Sequence, residues 1–539
     1  MIKKSIKCLA FVCLLGLFFQ GKSVQAEALT TKVIGNKNYG IYASLGKVPV
    51  KYQVRQKVYS KKKKRYVLKK VTKTKLVWKF GQKLANSREF KLTHIQSQSY
   101  KRYQGKRYYF IYVDGRAIGY VNEKAFARSK ANVVKEVSLV NNPKDTKGFD
   151  VRDAVNYITD SHGSVIDKYQ VKTNADRISE KKPGTYWVTF KYGKAHAKVK
   201  VTVRNNPKEG MSAAKLKPGQ GGTFAQTWYP QQLAYRGNYK AQVFPHTYWG
   251  SDNKGQKKAA KLTTKFYEPN SFSLLAGSVE TNVRTNVQGL DVYGQDMVTT
   301  NFYGVGKASK DGANGRVILY RLNRVPTYAL QYIPTPALTL SVWKNYVKQI
   351  RISPWIKLGH GQSVGSTGRY IYELANWNRA KKLRSNELMQ IDKKTMLVKK
   401  IWTFKVSNGP IKNNRYFLNA DVIDDNTILA LFHNKSKGRY EFWRIKRNGY
   451  TFSAKEAAAV DGDLISNSSQ VQGFTYNVAH KCYYISFNDF LFKISAKGNL
   501  VNYYRFHANR EVEGLASYKS KIYVAMNHRA EVLDSTMYK

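Results

Sequence analysis

Five polar side chains stand at matching places in the C-terminal part of this 539-residue chain: Gln288, Gln362, Asn419, Gln472 and Glu513. Three of them sit in one short pattern, Val287-Gln288-Gly289-Leu290, Val471-Gln472-Gly473-Phe474 and Val512-Glu513-Gly514-Leu515. In Gln362-Ser363-Val364 and Asn419-Ala420-Asp421 a Ser or Ala replaces the glycine. His360 lies beside one copy, in Gly359-His360-Gly361-Gln362. Amides, one imidazole and one carboxylate suit hydrogen bonding to a polar ligand. Glu513 with Asp421 would supply a carboxylate pair for acid–base work, or oxygen ligands for a hard cation such as calcium. No nucleophile elbow, phosphate loop or paired-histidine zinc motif occurs, and the nine histidines show no zinc spacing. No catalytic residue or metal ligand is therefore assigned, and calcium is the one cofactor the residue types leave open. The alternative role for the five groups is to bond to neighbouring elements and close a channel.

The second chemistry is charge. Lys and Arg number 93 against 34 Asp and Glu, a net charge of +59. Residues 27–130 hold 27 basic and 4 acidic residues, with tyrosines throughout. Lys61-Lys62-Lys63-Lys64-Arg65 forms a run that attracts phosphate, although as structure it reads as a solvated loop. Cations among aromatics also make stacking platforms for single-stranded nucleic acid. Export argues against nucleic acid as the physiological partner and for an anionic wall polymer of the teichoic type.

Export is read from the start of the chain. Lys3, Lys4 and Lys7 precede an apolar run from Cys8 to Phe19, and Val24-Gln25-Ala26 offers a cleavage site, so residues 1–26 are expected to be a secretory signal peptide. The run is too short for a stable transmembrane helix, and no later stretch would span a membrane. The expected location is secreted and wall-associated. Only Cys482 would remain in the mature chain, in the strand pattern Cys482-Tyr483-Tyr484-Ile485, where it reads as a packed small apolar group.

Strands must position the repeated polar groups. Each motif copy is followed by a second strand-like run, such as Asp296 to Tyr303, Cys482 to Phe487 or Ile522 to Met526. Several short strands per unit, in units of roughly 40 to 70 residues, predict a β-propeller over 206–539. An irregular β-sandwich with glycine bulges is the other all-β solution. Residues 211–280 would close the propeller or cap it from beneath. Over 27–130 the strands Tyr66 to Val71, Arg107 to Val113 and Ala117 to Val121 predict a small basic barrel, the last two joined through Asp114-Gly115. Over 131–205 Tyr186, Val188 and Phe190 share one face, as do Ala197, Val199, Val201 and Val203, which predicts a hairpin in a domain that serves as a spacer.

Three resemblances follow from these residues. Tyr109 through Val121, with Gly119-Tyr120 where the family has Gly-Trp, is similar to the closing strands of bacterial SH3-like wall-binding modules of the GW type. That implies wall-polymer contacts at Tyr109, Tyr120 and the run Lys61, Lys62, Lys63, Lys64 and Arg65. Pro183-Gly184-Thr185-Tyr186 with its following strands looks like the end of a bacterial Ig-like domain. The repeat region from about 280 to 535 resembles the helveticin J type of large bacteriocin, on Val287 to Tyr293, Gly359 to Gly365, Glu387 to Asp392, Val471 to Phe474 and Glu511 to Ala516. The expected fold is thus all-β: an SH3-like barrel, an Ig-like β-sandwich and a C-terminal β-propeller. The helveticin likeness implies antibacterial action at the envelope of related bacteria. A non-lethal surface adhesin or glycan-binding protein is the second expectation, and a wall-glycan hydrolase the third.

Overall fold

The computed structural model describes residues 29–91, 95–113, 116–205, 211–212, 219–220, 246–268, 287–302, 314–325, 339–375, 385–406, 415–465, 470–508, 510–526 and 531–537. The signal segment, the Asp114-Gly115 turn and much of 206–286 lie outside them. Among the described residues the only α-helix is Leu340–Gln349, and no helix is long and apolar enough to cross a membrane.

The repeat region is a propeller of five antiparallel blades. Their innermost strands are Val287–Tyr293, Val364–Ser366, Asn419–Asp424, Gly473–Asn477 and Val512–Tyr518. Each packs beside the next in that order, and the fifth packs against the first, so the ring closes. Blades 1 to 4 are built from consecutive strands. The fourth strand of blade 5 comes from far earlier in the chain, where Ala260–Tyr267 pairs with Glu531–Met537. Thr247–Asp252 then bridges from it to the outer strand of blade 4, Leu500–Phe506. Of the two roles expected for this stretch, closing the ring is the one observed.

The motif glycines have a packing cause. A Cβ on Gly473 would lie 2.5 Å from the Leu515 Cβ of the next blade, one on Gly514 3.0 Å from Leu290, and one on Gly289 3.0 Å from Val364. The residue after each glycine therefore seats on the glycine of the preceding blade. Gly473→Ala is expected to destabilise the propeller by about 1–3 kcal/mol through overpacking, read as a lowered unfolding midpoint in urea. Cys482 is buried in its strand, as its apolar setting predicts.

Residues 131–205 are not a detached spacer. The expected hairpin forms between Gly184–Tyr192 and Ala195–Arg204, with Val188 facing Val199. Ala195–Arg204 then pairs in parallel with Glu136–Val140, which pairs in parallel with Leu397–Phe404 of blade 2. One eight-stranded sheet thus runs from this segment into the propeller. Buried Asn156 fixes the junction, its Nδ2 donating to the Val398 carbonyl at 3.0 Å and its Oδ1 accepting from the Val398 N–H at 2.9 Å. The two parts share one apolar core, in which Val137, Leu139 and Val201 meet Ile356, Val364 and Ile401.

The N-terminal part is a six-stranded antiparallel sheet around Ile41, Phe90, Ile95, Ile111 and Val121. Its core continues into blade 1 through Val287, Leu290 and Ile318. From it projects a separate two-stranded ribbon, Leu45–Ser60 paired with Arg65–Phe80 along its whole length. Only Tyr66 to Val71 of this ribbon was expected as strand. Both of its faces are in water, so the apolar–polar alternation that marks a half-buried strand is weak there.

Candidate functional site

The five innermost strands begin at one end of the ring, and the predicted polar residues sit at those beginnings. Gln288 and Glu513 each occupy a β-bulge, where one extra residue re-aims the side chain. Both are buried. Gln362 and Gln472 are half-buried, and Gln362 Nε2 donates to Gln472 Oε1 at 3.3 Å. These two belong to blades 2 and 4, which are not neighbours, so their amides meet across the ring. Gln288 lies against the Gly361 turn of blade 2, its Nε2 donating to the Val287 carbonyl and its buried Oε1 without a hydrogen-bond partner. His360 is half-buried beside that turn, and burial lowers its pKa, which favours the neutral imidazole. Gln288, His360 and Gln362 are therefore local to the junction of blades 1 and 2. Gln472 joins them by its amide, and Glu513 stands at the same end on blade 5.

Deeper in the ring lies a polar layer that the repeat pattern alone does not single out. Asp291 of blade 1 accepts a hydrogen bond from Ser366 Oγ of blade 2. Asp421 of blade 3 accepts from Thr475 Oγ1 and the Tyr476 N–H of blade 4, both at 2.8 Å. Thr475 also meets the Ser517 hydroxyl of blade 5 at 3.0 Å. Burial pushes Asp291 up to about 7, and Asp421 adds to that, while Ser366 and Lys393 oppose it. Burial also raises Asp421, against its hydrogen bonds.

Two corrections follow. The carboxylate that senses Asp421 is Asp291, not Glu513, because the two aspartates share a depth in the ring and Glu513 sits at its mouth. Asp291 and Asp421 also play the same part toward the following blade. That sets Asn419, rather than Ala420, at the glycine position of blade 3, one residue from the sequence alignment. Asn419 is buried at the head of its strand. The oxygen chemistry suited to calcium goes with this layer, but its carboxylates already accept hydrogen bonds from the adjoining blades. No group of three or more His, Cys, Asp or Glu side chains able to hold a metal occurs among the described residues.

In the basic part, Lys61, Lys62, Lys63, Lys64 and Arg65 are all exposed at the far tip of the ribbon. Tyr120 is half-buried, edge-on to Phe110 at 5.0 Å, with Lys101 Nζ 4.9 Å above its ring. Cation and aromatics there form a surface able to meet a polyanion. Tyr109 does not belong to it. It is 6% exposed, packs on Phe126 and lies under Lys32, because strand alternation points it inward. It is a core residue rather than a surface contact.

No family model matches the chain, and no curated protein matches it. Among solved structures, it is similar to a glutaminyl cyclase of Myxococcus xanthus (9% identity, 51% of this chain and 95% of that one, TM-score 0.29). It is similar also to the β-propeller domain of Cps50 (Swd1) of Myceliophteria thermophila (10%, 51% and 80%, TM-score 0.23). A third is a virginiamycin B lyase of Staphylococcus aureus (13%, 46% and 69%, TM-score 0.22). The closed order of its own inner strands is what makes this chain a propeller.

Proposed function

We propose that this is an exported antibacterial protein acting at the envelope of related bacteria. In this reading residues 27–130, an SH3-like module, hold it on anionic wall polymer, residues 131–205 are an Ig-like element, and the propeller mouth carries the activity. One observation carries the reading: cations are concentrated on an exposed arm and sheet at one end of a propeller whose repeat motifs resemble helveticin J. The test is to add the purified protein to washed related bacteria and follow viability and envelope permeability. Killing is expected. Binding without killing would overturn it in favour of an adhesin or glycan-binding protein, a reading that the amide pair Gln362–Gln472 favours, since amides suit sugar hydroxyls. Release of soluble glycan fragments would point to a hydrolase.

Wall binding through exposed charge should fall steeply with salt, because such charges are screened over about 8 Å at physiological ionic strength. A protein that stays on purified walls at high salt, or binds equally after teichoic polymer is stripped, would remove the electrostatic account. At the mouth, Glu513→Gln keeps shape and removes charge. Activity or ligand binding should drop while the melting temperature hardly moves. A lowered melting temperature with constant activity per folded molecule would make Glu513 structural.

A further inference from the structure

The ribbon is unusual in composition as well as in shape. Residues 45–80 contain 14 Lys and Arg and no Asp or Glu. Sixteen residues per strand give it a reach of about 50 Å at the usual rise of a β-strand. Its root is fixed, since Phe80 packs on Tyr42 at 4.4 Å and on Tyr108 at 5.1 Å, and Lys101 Nζ donates to the Leu45 carbonyl at 2.6 Å. Beyond the root no described element covers either face.

The two faces differ. One carries three directly opposed valine pairs, Val48–Val77, Val54–Val71 and Val58–Val67. Lysine-bearing pairs alternate with them, Gln56–Lys69 being the one between the two distal valine pairs. The opposite face carries Arg55, Lys57 and Lys70, and the five cations of Lys61 to Arg65 lie at the tip. A two-stranded ribbon with an apolar ladder left in water is marginally stable on its own. A hydrated polyanion would satisfy the cations and leave the valines in water. An anionic bilayer takes both: headgroups meet the lysines, and the valines enter the boundary below while lysine stems reach back to the surface. Ribbons of two strands twist strongly, so only part of the length can lie on a flat surface. The part next to the cationic tip is the one with two valine pairs close together.

We propose that this ribbon is a docking arm for an anionic lipid surface, with Val54, Val58, Val67 and Val71 facing into the bilayer. The proposal deepens the envelope reading above and rests on it for the biological setting, but its test needs neither walls nor cells. In the chain from residue 27 onward, Val58→Cys and Lys57→Cys place an environment-sensitive fluorophore on opposite faces of the ribbon. Buried Cys482 stays out of reach of the label. With vesicles of phosphatidylglycerol and phosphatidylcholine, the probe at 58 should shift to the blue and resist an aqueous quencher. The probe at 57 should remain quenchable, and phosphatidylcholine vesicles alone should move neither. Equal access at both sites would overturn the proposal by reducing the contact to charge, and burial of both would overturn the face assignment. Binding to soluble teichoic polymer but not to anionic vesicles would make the wall polymer the partner instead. As a second measure, Val54→Thr with Val58→Thr keeps β-branching and charge. It should lower partition into anionic vesicles several-fold at high salt and leave retention on purified walls unchanged. Unchanged partition would sink the valine face.

Discussion

Asp291→Asn is expected to stabilise the protein at pH 8 and to change its stability little at pH 4. Burial and the nearby Asp421 push this carboxyl up to about 7 in the fold, whereas an unfolded chain returns it to about 3.9. Between those values the folded state binds more protons than the unfolded state, so stability falls as pH rises. The contribution is fully present below about pH 4 and is lost above about pH 7. A shift of about three units corresponds to roughly 4 kcal/mol at pH 8. Asparagine keeps the shape and an acceptor for Ser366 and does not titrate. Urea unfolding of both proteins at the two pH values reads the difference. Equal shifts at both values, or a loss of stability at pH 8, would mean that Asp291 is not held as an acid near the ring axis.

Removal of residues 131–205 should abolish the folded propeller rather than merely shorten the molecule. Glu136–Val140 covers the outer edge of blade 2, and its loss would expose the backbone of Leu397–Phe404 and the apolar core that both parts build. A smaller change makes the same point. Asn156→Leu takes both hydrogen-bond partners from Val398 in a buried place, at a cost of about 1–3 kcal/mol for each group left unsatisfied. Thermal melts of the full chain and of the deleted one are the measurement. A deleted protein whose propeller melts at the original temperature would show that the continuous sheet contributes nothing to stability.

Part of the candidate site was legible from local pattern. Gln288, Gln472 and Glu513 were visible because each precedes a glycine, and that glycine is required wherever the next blade seats an apolar side chain in its place. In blade 3 the small residue Ala420 misled, because Asn419 fills the glycine position without resembling it. Asp291, Ser366, Thr475 and Ser517 were not legible. They are ordinary polar residues within strands, and only the ring turns them toward one another. Tyr109 was misplaced because an aromatic in a basic, tyrosine-rich strand carries no mark of which face it takes.

The sequence by itself determined what depends on neighbours along the chain. The excess of cations, the strand-forming units and the hairpin of residues 184–204 all follow from composition, alternation and turn chemistry. The tertiary structure decided what depends on residues hundreds of positions apart. It set five blades, closed them with Ala260–Tyr267 against Glu531–Met537, fused residues 131–205 to blade 2, and brought Asp291 near Asp421. Backbone hydrogen bonds at a sheet edge accept any strand of suitable length, so no local pattern names the partner. The choice is made by which arrangement buries both faces of every blade at once.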